Sequence, residues 1–403
     1  MNLLKNGITI SRRAFLTNAV FFMIFLTLFF IFSYHIIRHV ALSVDNRLMV
    51  QALFNFVIAT SLLASSFFVH KINSGRLICT SSIAIVTMSS LVFIVPTPTL
   101  KLIIIFVIGI FFSMGFLSFF RRFWKSTVPE ERGRVGGLIG LAALPFEFVV
   151  DNIVAPSLSF PETIMLSIAL SSGILLVMLL IPPKAVLTEK KWERVNYTEK
   201  RTIFLYSIPW ILFSLINVTL AQNSSTNISQ QVFPSFYLLL ISLQLIGVVF
   251  GVVIGGFVAD FFGRRLSLAL SLTLYGISAV IVGLFTSNEL LSFSYIINGL
   301  GWGVLFTLYI FVVWGDLANE YNCAKMYSIG LIIYYLTAGF GLLTEISMPI
   351  VVSSLASCLL VFLSNIPIAL APELLPSDIR EKIRLTLHMN AVKKIKKQSP
   401  NQG

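Results

Sequence analysis

The chain has 403 residues, 57% of them hydrophobic and only 11% charged, with a formal net charge of +12. A soluble domain carries about 25% charged residues, so a soluble fold is excluded; apolar runs of about 20 residues, the length that crosses a hydrocarbon layer of roughly 30 Å, recur along nearly all of the chain. The basic excess sits in short loops and tails rather than on one folded face, which argues against a nucleic-acid partner and for membrane topology.

The tail through Arg13 is basic and runs into an apolar stretch too long for a signal peptide, with no clear small-residue cleavage site. It reads as a first span that is retained. Breaks of charge and turn residues place twelve spans near 15–38, 48–69, 77–95, 100–120, 135–157, 162–182, 203–222, 233–258, 266–286, 290–314, 327–347 and 349–370. This predicts an all-α membrane protein of two pseudo-symmetric six-helix halves, 1–182 and 203–372, joined by a linker over 183–202 and followed by a basic tail over 373–403. With both termini cytoplasmic, 26 of the 29 lysines and arginines fall on the inner side, a strong positive-inside bias. The three outside are Arg38, Arg47 and Lys101.

An offset of 189 residues aligns Phe68-Val69 and Arg76-Leu77 with Phe257-Val258 and Arg265-Leu266, and Pro183 with Pro372. Two six-helix repeats have this signature. Cys79, Cys323 and Cys358 are odd in number and far apart, so neither a disulfide framework nor a metal site is indicated. No phosphate-binding loop is present, and His and Cys are too scattered for a catalytic or metal cluster, so no enzymatic chemistry and no cofactor is expected.

Span 1 carries His35 and Arg38 near its outer end. Span 5 carries Glu147 beside Pro145, and Asp151 four residues on, hence on the same helical face. At about 1.5 Å per residue from Val135, Glu147 lies roughly 18 Å into the membrane and Asp151 roughly 24 Å. An uncompensated charge near the midplane costs about 2.5 to 3.5 kcal/mol on insertion scales, so such a group needs water, a proton or a cation. Asp151 is at the depth of His35 and Arg38 and is expected to pair with one of them. Glu147 is left as the candidate for proton coupling or cation contact, against the blander reading of a packed polar group.

Spans 7, 8 and 10 contribute Asn217, Gln244, Asn298 and Trp302, candidate cavity residues, although Gly and Trp are ordinary in membrane helices. Asn55 in span 2 is similar. Gly247, Gly251 and Gly255 in span 8 allow a neighbouring backbone to approach, as sliding or rocking helices require. The 36 phenylalanines read as lipid contact and core. The tail from Pro376 to Lys397 reads either as a surface helix on an anionic inner leaflet or as a solvated basic tail.

Two loops carry specific patterns. Between spans 8 and 9 stands Gly256-Phe-Val-Ala-Asp260-Phe-Phe-Gly263-Arg264-Arg265, and between spans 4 and 5 stands Pro129-Glu-Glu131-Arg132-Gly133. Both resemble loop motifs of the major facilitator superfamily of transporters. The resemblance implies a cytoplasmic ion-pair latch formed by Asp260, Arg264 and Arg265, with Gly263 permitting the turn and Glu131 and Arg132 joining the gate. It also implies that the acid engages a helix end in the other half. The first-half loop departs from the pattern: Lys71 replaces the acid, Ser74 the turn glycine and Gly75 the first arginine. A sign-reversed loop of this kind is expected to meet Asp316 or Glu320 instead.

The resulting expectation is a secondary transporter in the cell membrane, working as a monomer and moving a small solute by alternating access with protons as the candidate coupling ion. The alternative is a non-transporting sensor or scaffold that kept the fold. The substrate is not legible.

Overall fold

The computed structural model describes residues 9–41, 44–181, 200–231, 234–284, 287–343 and 350–375, with three isolated positions beyond. Twelve long helices run through these residues: α1 Arg12–Val40, α2 Val44–Ser66, α3 Ser74–Ile94, α4 Pro98–Ser126, α5 Arg132–Ser157, α6 Phe160–Leu180, α7 Lys200–Gln231, α8 Pro234–Phe262, α9 Arg264–Leu284, α10 Asn288–Asp316, α11 Cys323–Leu343 and α12 Ile350–Leu370. Among the described residues, eleven of them are long and apolar enough to cross a membrane, and α7 overlies the predicted seventh span. Most of the linker over 183–202 and of the tail beyond 375, including the surface-helix reading, lies outside the described residues.

Local sequence sets the helix ends. The Ser11 hydroxyl caps α1 by accepting from the Ala14 amide, Asn73 caps α3 through the Gly75 amide, and Pro98 opens α4 where its missing N–H is not needed. A capping box of Ser159 and Glu162 starts α6. In a membrane these caps matter, because the spanning backbone has no water to satisfy it.

The helices pack as two six-helix halves. Within the first, α3 packs on α4 and α6, and α1 on α5; within the second, α9 packs on α10 and α12, and α7 on α11. Each pairing recurs six helices later, which is the pseudo-symmetry the 189-residue offset predicted. The halves meet through α2 against α11 and α5 against α8, again a symmetric pair, with α10 touching α5 as well.

The Gly247, Gly251, Gly255 stripe lets a neighbouring backbone approach as expected, and the neighbour is α10 of its own half: a Cβ at Gly255 would sit 2.8 Å from the Val304 Cα, and one at Gly251 would overlap the Leu300 carbonyl. The close approach between halves is made one position further on, where a Cβ at Gly133 would stand 2.6 Å from the Gly256 oxygen and one at Gly256 would overlap the Gly133 oxygen.

Many phenylalanines serve neither lipid nor a single half. Phe22 on α1 lies 4.8 Å from Phe311 on α10, Phe123 on α4 lies 5.1 Å from Phe311, and Phe120 lies 4.9 Å from Tyr327 on α11. Phe29 reaches Tyr335 at 5.2 Å. These centroid distances are in the range of favourable ring pairs, so an aromatic seam fills the space between the halves.

Candidate functional site

Two polar regions stand at opposite ends of the bundle. The first gathers around the start of α5. Asp260, at the end of α8, is 1% exposed, and its carboxylate accepts from the backbone N–H of Gly133 at 3.0 Å and of Arg134 at 2.8 Å. These are amides that the first turn of a helix leaves without intrahelical partners, and a negative charge there also complements the helix dipole. Asp260 further pairs with Arg264 Nη1 at 2.9 Å and Arg134 Nε at 3.2 Å. The acid thus engages a helix end in the opposite half.

Arg264 is fully buried and links several groups. Its Nε donates to Asp316 Oδ2 at 2.9 Å, and its other nitrogens donate to the carbonyls of Ala259 and Pro129. Asp316, at the end of α10, also pairs with Arg132 of the first half. Its side chain is 2% exposed, so it is held between two guanidinium groups from two halves. The chain turns from α8 to α9 on Gly263 at φ +113, a backbone region that glycine adopts without strain. Glu373, just after α12, accepts from the amides of Arg264 at 2.8 Å and Arg265 at 3.2 Å and so caps α9. Three arginines, 132, 134 and 264, are balanced by three carboxylates, 260, 316 and 373. Trp124 Nε1 adds a further bond between halves, to the Gly315 carbonyl at 2.9 Å.

Two residues named with this cluster do not join it. Arg265 is exposed and turns its guanidinium to the Ala371 carbonyl at 3.5 Å, because successive helical residues project about 100° apart. Glu131 is buried and accepts from the Thr9 amide and from its hydroxyl at 2.9 Å, tying the N-terminal segment to the α4–α5 connection.

Nor does the sign-reversed loop meet Asp316, which Arg132 and Arg264 already occupy; Lys71 is exposed. Arg121 donates instead to the carbonyls of Val69, His70 and Ile72, holding that loop by its backbone. The offset places Lys71 opposite the start of α11, and a lysine has no acceptor with which to cap a helix. The chain caps that end locally: Asn322 Oδ1 accepts from the Asn319 amide, and Asn319 Oδ1 accepts from the Tyr321 and Asn322 amides.

The second region is a cavity of 320 Å³ at the other end, lined by Tyr34, His35 and Arg38 of α1, Arg47, Leu48 and Gln51 of α2, Asp151 of α5 and Leu342 of α11. His35 Nε2 lies 2.8 Å from Asp151 Oδ1. Both residues sit in π-helical turns, Ile31–Ile36 and Val150–Val154, the wide turns that often re-aim side chains at functional positions. Arg38 is on the same wall and makes no ion pair with Asp151. Glu147 is one turn further along α5, off the cavity wall but within electrostatic reach of Tyr34 and Tyr334, and it has no side-chain hydrogen bond among the described residues.

The structure ties most of the remaining polar residues into helix packing within the second half. Gln244 donates to Asn298 Oδ1 at 2.8 Å, Asn298 donates to Ser278 at 3.2 Å, and the Tyr275 hydroxyl donates to Asn217 at 3.3 Å. Trp302 stacks on Phe306 at 5.1 Å. None of the four lines the cavity.

Sequence reasoning gave Arg134 no role, left out Glu373, and offered Asp316, with Glu320, to the first-half loop rather than to Arg132 and Arg264. A signal existed for Asp316, since an acid ending an apolar span needs a cation. None existed for Glu373, whose role depends on where α12 brings it.

Twelve helices in two halves, with an ion network at one end and a polar cavity at the other, form an all-helical bundle whose apolar helices are long enough to cross a membrane. The fold is that of the major facilitator superfamily. The chain superposes on the human organic anion transporter MFSD10 (TETRAN) with TM-score 0.66 and 10% identity, covering 89% of this chain and 100% of that one. It also superposes on FucP, a major facilitator transporter in the outward conformation, with TM-score 0.62 and 11% identity over 86% and 97% of the two chains. A bacterial homologue of the iron transporter ferroportin in its outward-facing state gives TM-score 0.60 and 14% identity over 87% and 98%. A sequence-family model described as sugar (and other) transporter matches residues 203–313. No curated protein sequence matches the chain significantly.

Proposed function

We propose that this protein is a secondary transporter that moves a small solute by alternating access, with the Asp260 end facing the cytoplasm and the 320 Å³ cavity facing outward in the conformation described. The observation that carries the reading is the pairing of a closed end with a hollow one. The buried Arg132–Asp316 and Arg134–Asp260 ion pairs cross between the halves, with Arg264 linking the two acids within the second half, and the crossing pairs exist only while α5, α8 and α10 are together at that end. The cavity, walled mainly by the first half and by Leu342 of the second, is where a solute meets the open face. Rocking of the halves exchanges the two.

The positive-inside bias supports placing the basic end in the cytoplasm, and the cell membrane is the matching location. Glu147, a half-buried acid with no side-chain hydrogen bond among the described residues, is the candidate proton carrier, and the His35–Asp151 pair beside it is a second group able to exchange a proton with the cavity. A monomer suffices, since both halves are in one chain.

The test is a thermal-shift screen of small solutes on the purified protein, followed by uptake of any hit into vesicles with and without a pH gradient. Gradient-driven accumulation supports the reading. Binding without flux assigns the protein to a sensor class instead.

A further inference from the structure

The proposal above leaves the solute undefined, and the charges on the cavity wall bear on it. Of the 29 lysines and arginines, topology puts only Arg38, Arg47 and Lys101 at this end. Lys101 is used structurally, with its ammonium 4.5 Å from the centre of the Phe160 ring. Both arginines line the 320 Å³ cavity.

Neither arginine has a carboxylate partner among the described residues. Asp151, the acid on the wall, makes its ion pair with His35 at 2.8 Å. Gln51 is 5% exposed on the same wall, and its side-chain amide makes no hydrogen bond to a described residue. Two guanidinium groups on one concave, partly desolvated surface, with no paired counter-charge among the described residues, repel each other unless an anion lies between them. Low-dielectric walls focus that positive field outward and draw anions in. Guanidinium groups carry only donors, arranged to fit the two oxygens of a carboxylate. Leu48 and Leu342 supply apolar flanks for a carbon skeleton.

A neutral polyol would be served poorly here. It would leave the charges of Arg38 and Arg47 without the counter-charge that an anion supplies.

We infer that the cavity between α1, α2, α5 and α11 binds a small organic anion, its carboxylate or equivalent oxyanion held between Arg38 and Arg47 with Gln51 as a further donor. This rests on the transport reading for its consequence, that such an anion is the solute, but not for the binding itself.

The experiment uses three probes of matched shape and different charge, benzoate, benzamide and benzamidine, with chloride as an inorganic control, on the full chain in lipid nanodiscs. Benzoate is expected to raise the thermal midpoint in a saturable way, and the other three are not. Arg38→Gln and Arg47→Gln are each expected to weaken benzoate binding about tenfold or more, the size of a lost charge-assisted hydrogen bond. Because both side chains are solvent-accessible and repel each other without an anion, the midpoint without ligand should be equal or slightly higher in each variant, which separates lost binding from lost fold. Equal or greater stabilisation by benzamide or benzamidine, no stabilisation by benzoate, or benzoate binding that survives in both variants overturns the inference. Chloride acting as strongly as benzoate overturns its organic part. Benzoate binding without vesicle flux keeps the inference and removes the transport reading, whereas flux of a neutral solute unaffected by both variants does the reverse.

Discussion

The carboxylate of Asp260, on the second half of the chain, accepts the backbone N–H of Arg134, on the first half, at 2.8 Å. This bond and its neighbour to Gly133 make one side chain both an ion-pair partner and a helix cap across the seam. Charge removal therefore breaks two kinds of interaction together.

Asp260→Asn should destabilise the closed state of this end far more than any change in the first-half loop. Breaking a buried pair by removing one partner costs about 3 to 5 kcal/mol, and here both Arg134 and Arg264 lose a carboxylate, Arg264 keeping only Asp316. Transport should fall at least about tenfold, while Lys71→Ala, at an exposed position, should stay within about twofold. Parallel vesicle flux assays check this; equal losses in the two variants would show that the loops are not asymmetric in function.

Asp316→Asn should match Asp260→Asn in size. Its carboxylate lies between Arg132 and Arg264, so the substitution takes the ion pair from Arg132 and leaves Arg264 with Asp260 alone. Spin-label distances between the cytoplasmic ends of α5 and α10 should lengthen in the variant. Unchanged distances would mean that the remaining bonds close the end without it.

Gly256→Ala should fold but fail to close. Its Cβ would overlap the Gly133 carbonyl oxygen, a backbone atom that can give way only if α5 and α8 separate. Cysteine labelling along this end of α5 should rise in the variant, and solute binding from the opposite side should weaken. Normal labelling would place the contact outside the moving seam.

Glu147→Gln should keep solute binding and lose the dependence of transport on the pH gradient. The amide matches the acid in shape but carries no exchangeable charge. Transport at full rate with an unaltered pH profile would remove Glu147 from coupling and leave the His35–Asp151 pair as the group to test.

Gly263→Ala should lower stability by roughly 1 to 3 kcal/mol, the cost of holding an L-residue in a sparsely populated backbone region. The φ of +113 is unfavourable for alanine, and its Cβ would stand 2.6 Å from Glu373 Oε2. Thermal unfolding measures the difference. A midpoint equal to that of the native chain would mean that the turn relaxes to a negative φ.

The sequence by itself determined the helical membrane class, the span positions and the two-half plan, because apolar length, charged breaks and a repeat offset are one-dimensional properties. It also marked Asp260, Arg264, Glu147 and Asp151, because an acid inside or at the edge of an apolar span must find a partner wherever the chain goes. Which partner it finds is a matter of tertiary structure. Asp316 went to Arg132 and Arg264 rather than to Lys71, Glu131 to Thr9, and Asn298 to Gln244, since each choice depends on which helices lie side by side and which way a side chain leaves its helix. The same holds for the phenylalanines, which composition assigns to lipid and core but which, once α1 and α4 face α10 and α11, fill the seam on which the halves meet.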